Sequence, residues 1–203
     1  MKSKVLALID GIDIDIAFKN SYEAFHKPCV KYINLVRTQN YTAKIYVFDN
    51  VELNEQGYLV NPHNHAYNFT THILVGGVRN VIFEVQPYTL GDWQLCEYST
   101  PLNGGDGSEI VTRCNLKEKS NYDYNTSVDI YNMDHRQVHT IIPRTDRTTI
   151  LFLEQYRDIV EKTHYLKPEF DNHHNCIHQK FKNIAEFTEC LKTIRSLIVD
   201  GDN

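Results

Sequence analysis

No stretch of this 203-residue chain approaches the ~18 consecutive apolar residues that a membrane-spanning helix requires, so a membrane partner is not expected. Blocks of lysine or arginine are missing too, and with a formal net charge of −5 the chain offers no general attraction to nucleic acid or anionic lipid. Cysteines are few and scattered: Cys29, Cys96, Cys114, Cys176 and Cys190 form no Cys-x-x-Cys pair, and their odd number argues for free thiols in a reducing cytoplasm. The basic start, Met1 to Lys4, leads into an apolar run that stops at Asp10 without a small-residue cleavage site, so a secretory leader is not expected. Gly-x-Ser-x-Gly is absent, and Asn103-Gly-Gly-Asp-Gly107 lacks the Lys-Ser/Thr of a phosphate loop and is read as a turn. Asp10 to Asp15 lacks the glycine and glutamate of a calcium loop, which leaves Asp13 or Asp15 as a helix cap.

What remains is the pattern of one soluble domain over residues 1–203. Ile16, Phe18, Tyr22, Phe25, Val30, Ile33 and Val36 recur at helical spacing, which predicts two helices over 13–38, interrupted near Pro28, within an N-terminal helical segment 1–42. Over 43–156 the signals become short apolar strands, at 45–48, 72–75, 80–84, 93–96, 129–131 and 150–153, separated by Gly, Asn and Asp. That series predicts a mainly β barrel or sandwich, with the polar stretch 101–125 as a long loop or hairpin excursion. Ile184, Phe187, Leu191, Ile194 and Leu197 mark a helix in a C-terminal helical extension, 157–203.

Against that background the histidines stand out. His63 and His65 are two apart, so on an extended strand both imidazoles point to one face and can share a metal ion. Gly57 precedes the pair and Gly76-Gly77 follow it, placing it between turn signals. His139, lying between two strand-like runs, is the candidate third ligand. The alternative is that the three are hydrogen-bonding residues of a barrel wall. His72 shares strand parity with Thr70 and is a candidate to join or replace one of the three. Tyr67 and Tyr131 are candidate pocket residues, with packing as their other reading. In His173-His174-Asn-Cys176-Ile-His178 no second ligand pair stands at zinc-finger spacing, so this cluster is read as a loop.

Gly-x5-His-x-His followed about a dozen residues later by glycine resembles the first motif of the cupin superfamily. The usual glutamate four or five positions after the second histidine is replaced by Phe69 and Thr70. A three-histidine site without that glutamate is similar to cysteine dioxygenase and its thiol dioxygenase relatives. The resemblance, over roughly residues 43–156, implies a cupin (RmlC-like jelly-roll) β-barrel with flanking N- and C-terminal α-helices. It further implies a divalent transition metal on His63, His65 and His139, most of all Fe(II), with Ni or Zn as alternatives in purified protein. Tyr156, seventeen positions after His139, matches the family's catalytic tyrosine, and Phe152 and Glu154 stand at the two preceding same-face positions. Thr70 and Glu154 join Tyr67, His72 and Tyr131 as candidate pocket residues.

Where the family has a carboxylate-binding arginine this chain has Ala43, with Lys44 on the opposite face, so L-cysteine is not the expected substrate. The implied function is dioxygenase-like oxidation of a small molecule by a monomer or homodimer. Alternatives are a non-catalytic ligand-binding cupin, or a cupin isomerase or epimerase.

Overall fold

The computed structural model describes residues 1–99, 108–125, 130–169 and 177–201. Two helices, α1 (Lys2–Asp10) and α2 (Ile14–Asn20), lead into β1 (Ala24–His26), β2 (Val30–Arg37), β3 (Tyr41–Phe48), β4 (Tyr67–Val75), β5 (Gly77–Pro87) and β6 (Trp93–Ser99). There follow β7 (Ser108–Asn125), β8 (Ile130–Met133), β9 (Val138–Pro143), β10 (Thr149–Asp158), β11 (Lys162–Pro168), β12 (Ile177–Gln179) and α3 (Ile184–Asp200). The strands form two antiparallel five-stranded sheets, ordered β2-β3-β10-β4-β8 and β11-β6-β7-β5-β9, with β1 and β12 as a separate pair. This mainly β, double-sheet jelly roll with helices at both ends is the fold class the sequence pattern and the resemblance imply.

Burial assigns the faces. Alternation along the first sheet turns Ala43, Ile45, Val47, Leu74, Ile150 and Phe152 outward, where α1, α2 and α3 cover them with Val5, Ile9, Phe187, Leu191, Ile194 and Ile198. The other face meets the second sheet across a core that includes Phe48, Phe69, Ile73, Tyr131 and Leu151. A smaller cluster, with Val81, Phe83, Cys114, Val138 and Leu166, lies on the second sheet. Sequence fixes the helix starts as well: Asp13 accepts from Ile16 N (3.0 Å) at α2, and Asn183 accepts from Glu186 N (2.9 Å) at α3, caps worth about 1 kcal/mol each. Phe187, Leu191, Ile194 and Ile198, spaced four, three and four apart, then form the buried stripe of α3.

Three local expectations change. Over 13–38 only Ile14–Asn20 is helical, and Val30–Arg37 is a strand. Most of β2 is buried on both faces, and that removes the alternation by which a strand is recognised. Within 101–125, Ser108–Asn125 is an 18-residue strand spanning both β5 and β6, whereas Asn103 to Gly107 lie outside the described residues. The C-terminal extension carries β11 and β12 before its helix, and of the histidine–cysteine cluster His173 to Cys176 lie outside the described residues while His178 is in β12.

Candidate metal centre

Between β3 and β4 the chain runs extended past Pro62, and this segment joins the edges of the second sheet. His63 exchanges backbone hydrogen bonds with His139 of β9 (2.9 Å each way). On the other side Asn64 N donates to His164 O (2.9 Å) and Leu166 N to Pro62 O (2.8 Å), both on β11. The expectation of a regular strand for His63 and His65 is therefore corrected to an extended, bridged segment, though its alternation still holds. His63, His65, Tyr67 and Phe69 follow one another on one side: the His65 ring lies 4.8 Å from His63, 5.3 Å from Tyr67 and 4.7 Å from Phe69, centroid to centroid. His139 enters from β9, its ring 5.2 Å from both other imidazoles.

The three histidines bring one nitrogen each to within 4.8 Å of one another, and His65 Nε2 and His139 Nε2 are 3.0 Å apart. Each of two rings is oriented by an oxygen behind it. His139 Nδ1 meets Asn80 Oδ1 at 2.8 Å, and His63 Nδ1 meets the Asn61 carbonyl at 2.8 Å. Both oxygens accept, so the protons belong on Nδ1 and the Nε2 lone pairs are free for a ligand. Burial depresses the basicity of all three imidazoles, and mutual repulsion adds to it at His65 and His139, so the neutral, ligating form is favoured. At His63 the Asn61 bond opposes that depression in part.

This donor set fits a divalent transition ion. Two nitrogens 3.0 Å apart are spaced as a pair each about 2.1 Å from a shared ion would be. No carboxylate joins the group among the described residues, and the inward position four residues after His65 is taken by the Phe69 ring. An open cleft of about 580 Å³ is lined by Asn64 and Val138, which adjoin the ligands, and not by the ligands themselves.

The remaining candidates divide between two faces. Tyr67 and Tyr131 lie inside: Tyr67 packs on His65, and Tyr131 packs against Phe69 and Tyr124. Burial raises the Tyr131 hydroxyl to about 12 and Tyr67 further still, so both stay protonated donors. Thr70, His72, Glu154 and Tyr156 are corrected to the outer face of the first sheet. His72 Nε2 lies 3.2 Å from Glu154 Oε2 and its ring packs on Phe152 in the helix-covered core. Glu154 also accepts from Lys4 Nζ and the Tyr41 hydroxyl, both at 2.6 Å. Burial works to raise that carboxyl, but the bonds from Lys4, Tyr41 and His72 hold it below its ordinary value. Tyr156 is 46% exposed and meets Thr70 Oγ1 at 3.4 Å, so it does not face the imidazoles.

Sequence reasoning missed three contributors. Asn61 and Asn80 orient the rings; a polar residue opening the apolar run at 80–84 was the available signal. Lys44 is the third. The face assignment at Ala43 is reversed: Ala43 packs outward in the helix-covered core, and Lys44 turns inward, 3% exposed. Its Nζ donates to Gln155 Oε1 (2.8 Å) and Tyr67 Oη (3.1 Å).

No protein-family model matches the chain, and no curated protein matches it in sequence. Solved structures do share similarity. KdgF from Halomonas sp. is 11% identical, covering 66% of this chain and 84% of that one, with a TM-score of 0.38. The Cnp3 cupin domain of Schizosaccharomyces pombe is 9% identical, covering 64% and 61%, with a TM-score of 0.37. Hydroxypropylphosphonic acid epoxidase from S. wedmorenis is 11% identical, covering 68% and 56%, with a TM-score of 0.38. Scores at this level transfer no chemistry. No described helix is long and apolar enough to cross a membrane.

Proposed function

We propose that the chain is a mononuclear metal-dependent cupin that oxidises a small molecule in a dioxygenase-like reaction, with His63, His65 and His139 as the metal ligands. One observation carries the reading: three imidazoles converge with their nitrogens within 4.8 Å, and two of them are held by acceptor oxygens in the tautomer that a ligand needs. A hydrogen-bonding role in a barrel wall would account for the bonds at the two Nδ1 atoms but gives no reason for three imidazole nitrogens to converge within 4.8 Å.

Fe(II) is the ion proposed for activity. It would supply a Lewis-acidic centre whose charge three neutral ligands leave undiminished, able to gather an anionic substrate donor and dioxygen. The protein's share is orientation and exclusion of water. Asn61 and Asn80 fix two imidazoles, Phe69 covers His65 and His139 with an apolar ring, and Tyr67 packs its ring on His65 with its hydroxyl on Lys44. Tyr156 is given no part, since its hydroxyl meets Thr70 on the outer face. The protein is taken to act as one domain, in a reducing cytoplasm.

Oxygen-electrode assays of iron-loaded protein across a panel of small thiols and other chelating molecules test the function. Oxygen uptake that depends on both iron and one class of compound is expected. Stoichiometric iron with no uptake for any compound would favour the ligand-binding alternative.

A further inference from the structure

Lys44 is a cation in an unusual setting. It sits at the interior face of β3, 3% exposed, among the rings of Tyr67, Tyr32 and Tyr46, whose centroids lie 5.0, 5.5 and 5.7 Å from Nζ. Its hydrogen-bond partners, Gln155 Oε1 and Tyr67 Oη, are neutral. No carboxylate among the described residues pairs with it; Asp158 acts on it through the longer-range field, opposed by Arg37. An ammonium has three donors, and two are used here. Ring faces attract a cation but do not replace a counter-ion, and an unpaired charge taken out of water costs several kcal/mol. Desolvation accordingly pulls the Lys44 ammonium down to about 7. An apolar residue would fill this place more cheaply if packing were the whole role.

Position adds to the case. Tyr67 bonds Lys44 through its hydroxyl and packs its ring on His65, so one side chain connects the cation to the candidate ligand set. We propose that Lys44 is the counter-charge for a carboxylate on the small molecule held at the histidine site. The proposal rests on reading that site as a small-molecule site, and it replaces the reading from Ala43 that the chain offers no cation to a substrate carboxylate. A monoanion fits one ammonium. A phosphate or phosphonate dianion would leave a second buried charge unmatched, and the flat two-point fork that an arginine offers is missing here.

The test uses the full chain, nickel-loaded and metal-free, with propionate and its uncharged isostere propionamide as probes in calorimetric and thermal-shift titrations. Propionate is expected to bind about tenfold tighter than propionamide, as a charge-assisted hydrogen bond does relative to a neutral one. In Lys44→Met the preference should fall to about one, while nickel content stays that of the wild type. Lys44→Arg, which keeps the charge, should keep a preference for propionate and guards against misreading a folding defect. Equal binding of the two probes by wild type, or undiminished preference in Lys44→Met, overturns the proposal. Propionate binding that needs Lys44 in a protein that takes up no nickel would uphold the anion site and remove the metal reading instead.

Discussion

Replacing Asn80 by Ala should weaken metal binding without touching a ligand. Asn80 is 1% exposed, and its Oδ1 lies 2.8 Å from His139 Nδ1. Without that acceptor the Nδ1 proton has no partner, and the tautomer that frees Nε2 loses its advantage. Oxygens placed behind metal histidines contribute about 10- to 100-fold in affinity. That range is about 1.4 to 2.7 kcal/mol. In metal-free protein the orphaned buried N–H should cost about 1–3 kcal/mol of folding stability. The lost contact from Asn80 Nδ2 to Met133 Sδ, 3.4 Å, should add little. Competition with a chelator of known affinity measures the first effect, and urea unfolding of metal-free protein the second. Asn80→Asp keeps an acceptor oxygen and should bind metal at least as well as wild type. If Asn80→Ala matched wild type in the chelator assay, the bond behind His139 would not set its orientation, and the argument for a prepared ligand would fail.

Tyr156→Phe should leave metal content unchanged and shift stability by less than about 0.5 kcal/mol, because the hydroxyl meets Thr70 on the outer face; elemental analysis and urea unfolding check it. Glu154→Ala should destabilise by about 1–3 kcal/mol by orphaning Tyr41 and His72 and releasing Lys4 of α1, with metal binding unaffected. Phe187→Ala, at a fully buried position of α3, should cost about 3–5 kcal/mol in the same unfolding experiment. Lys44 sets a pH dependence. Its folded value is depressed to about 7 from 10.5, so between those values the unfolded chain binds more protons and stability must rise with pH. Relative to Lys44→Met, the unfolding free energy of wild type should climb by up to about 1.4 kcal/mol per pH unit across that window and level off above it. A flat difference would show that Lys44 is not desolvated.

Much of this was legible in the residues. Each apolar run read as a strand falls in or on an observed strand as far as the chain is described, because a short apolar run bounded by Gly, Asn and Asp marks a strand even where both of its faces are buried. The histidine trio was legible for another reason: parity carries from His63 through His65 and Tyr67 to Phe69 even though the first two lie outside a regular strand. The same parity turns Thr70 and His72 outward. For β10 and β3 parity alone was silent, since it separates Ala43 from Lys44 and Glu154 from Gln155 without saying which faces the imidazoles. Register decides that. Glu154 pairs with Ala43 and Thr70, and a bulge follows Gln155 before Asp158 meets Tyr67, so a fixed count of residues from His139 could not place Tyr156. In β2, Val30 and Ile33 fall at a helix-like interval on a strand buried on both sides, where periodicity does not distinguish the two structures.

Metal stoichiometry bears most directly on the account. Protein loaded with iron, freed of excess ion and measured by elemental analysis should hold about one transition-metal ion per chain, as one three-imidazole site requires. His63→Ala, His65→Ala and His139→Ala should each lose most of that ion while remaining folded, because the core is carried by aliphatic and aromatic side chains elsewhere. Folded wild-type protein that takes up no iron, nickel or zinc, or histidine variants that retain the full complement, would contradict it.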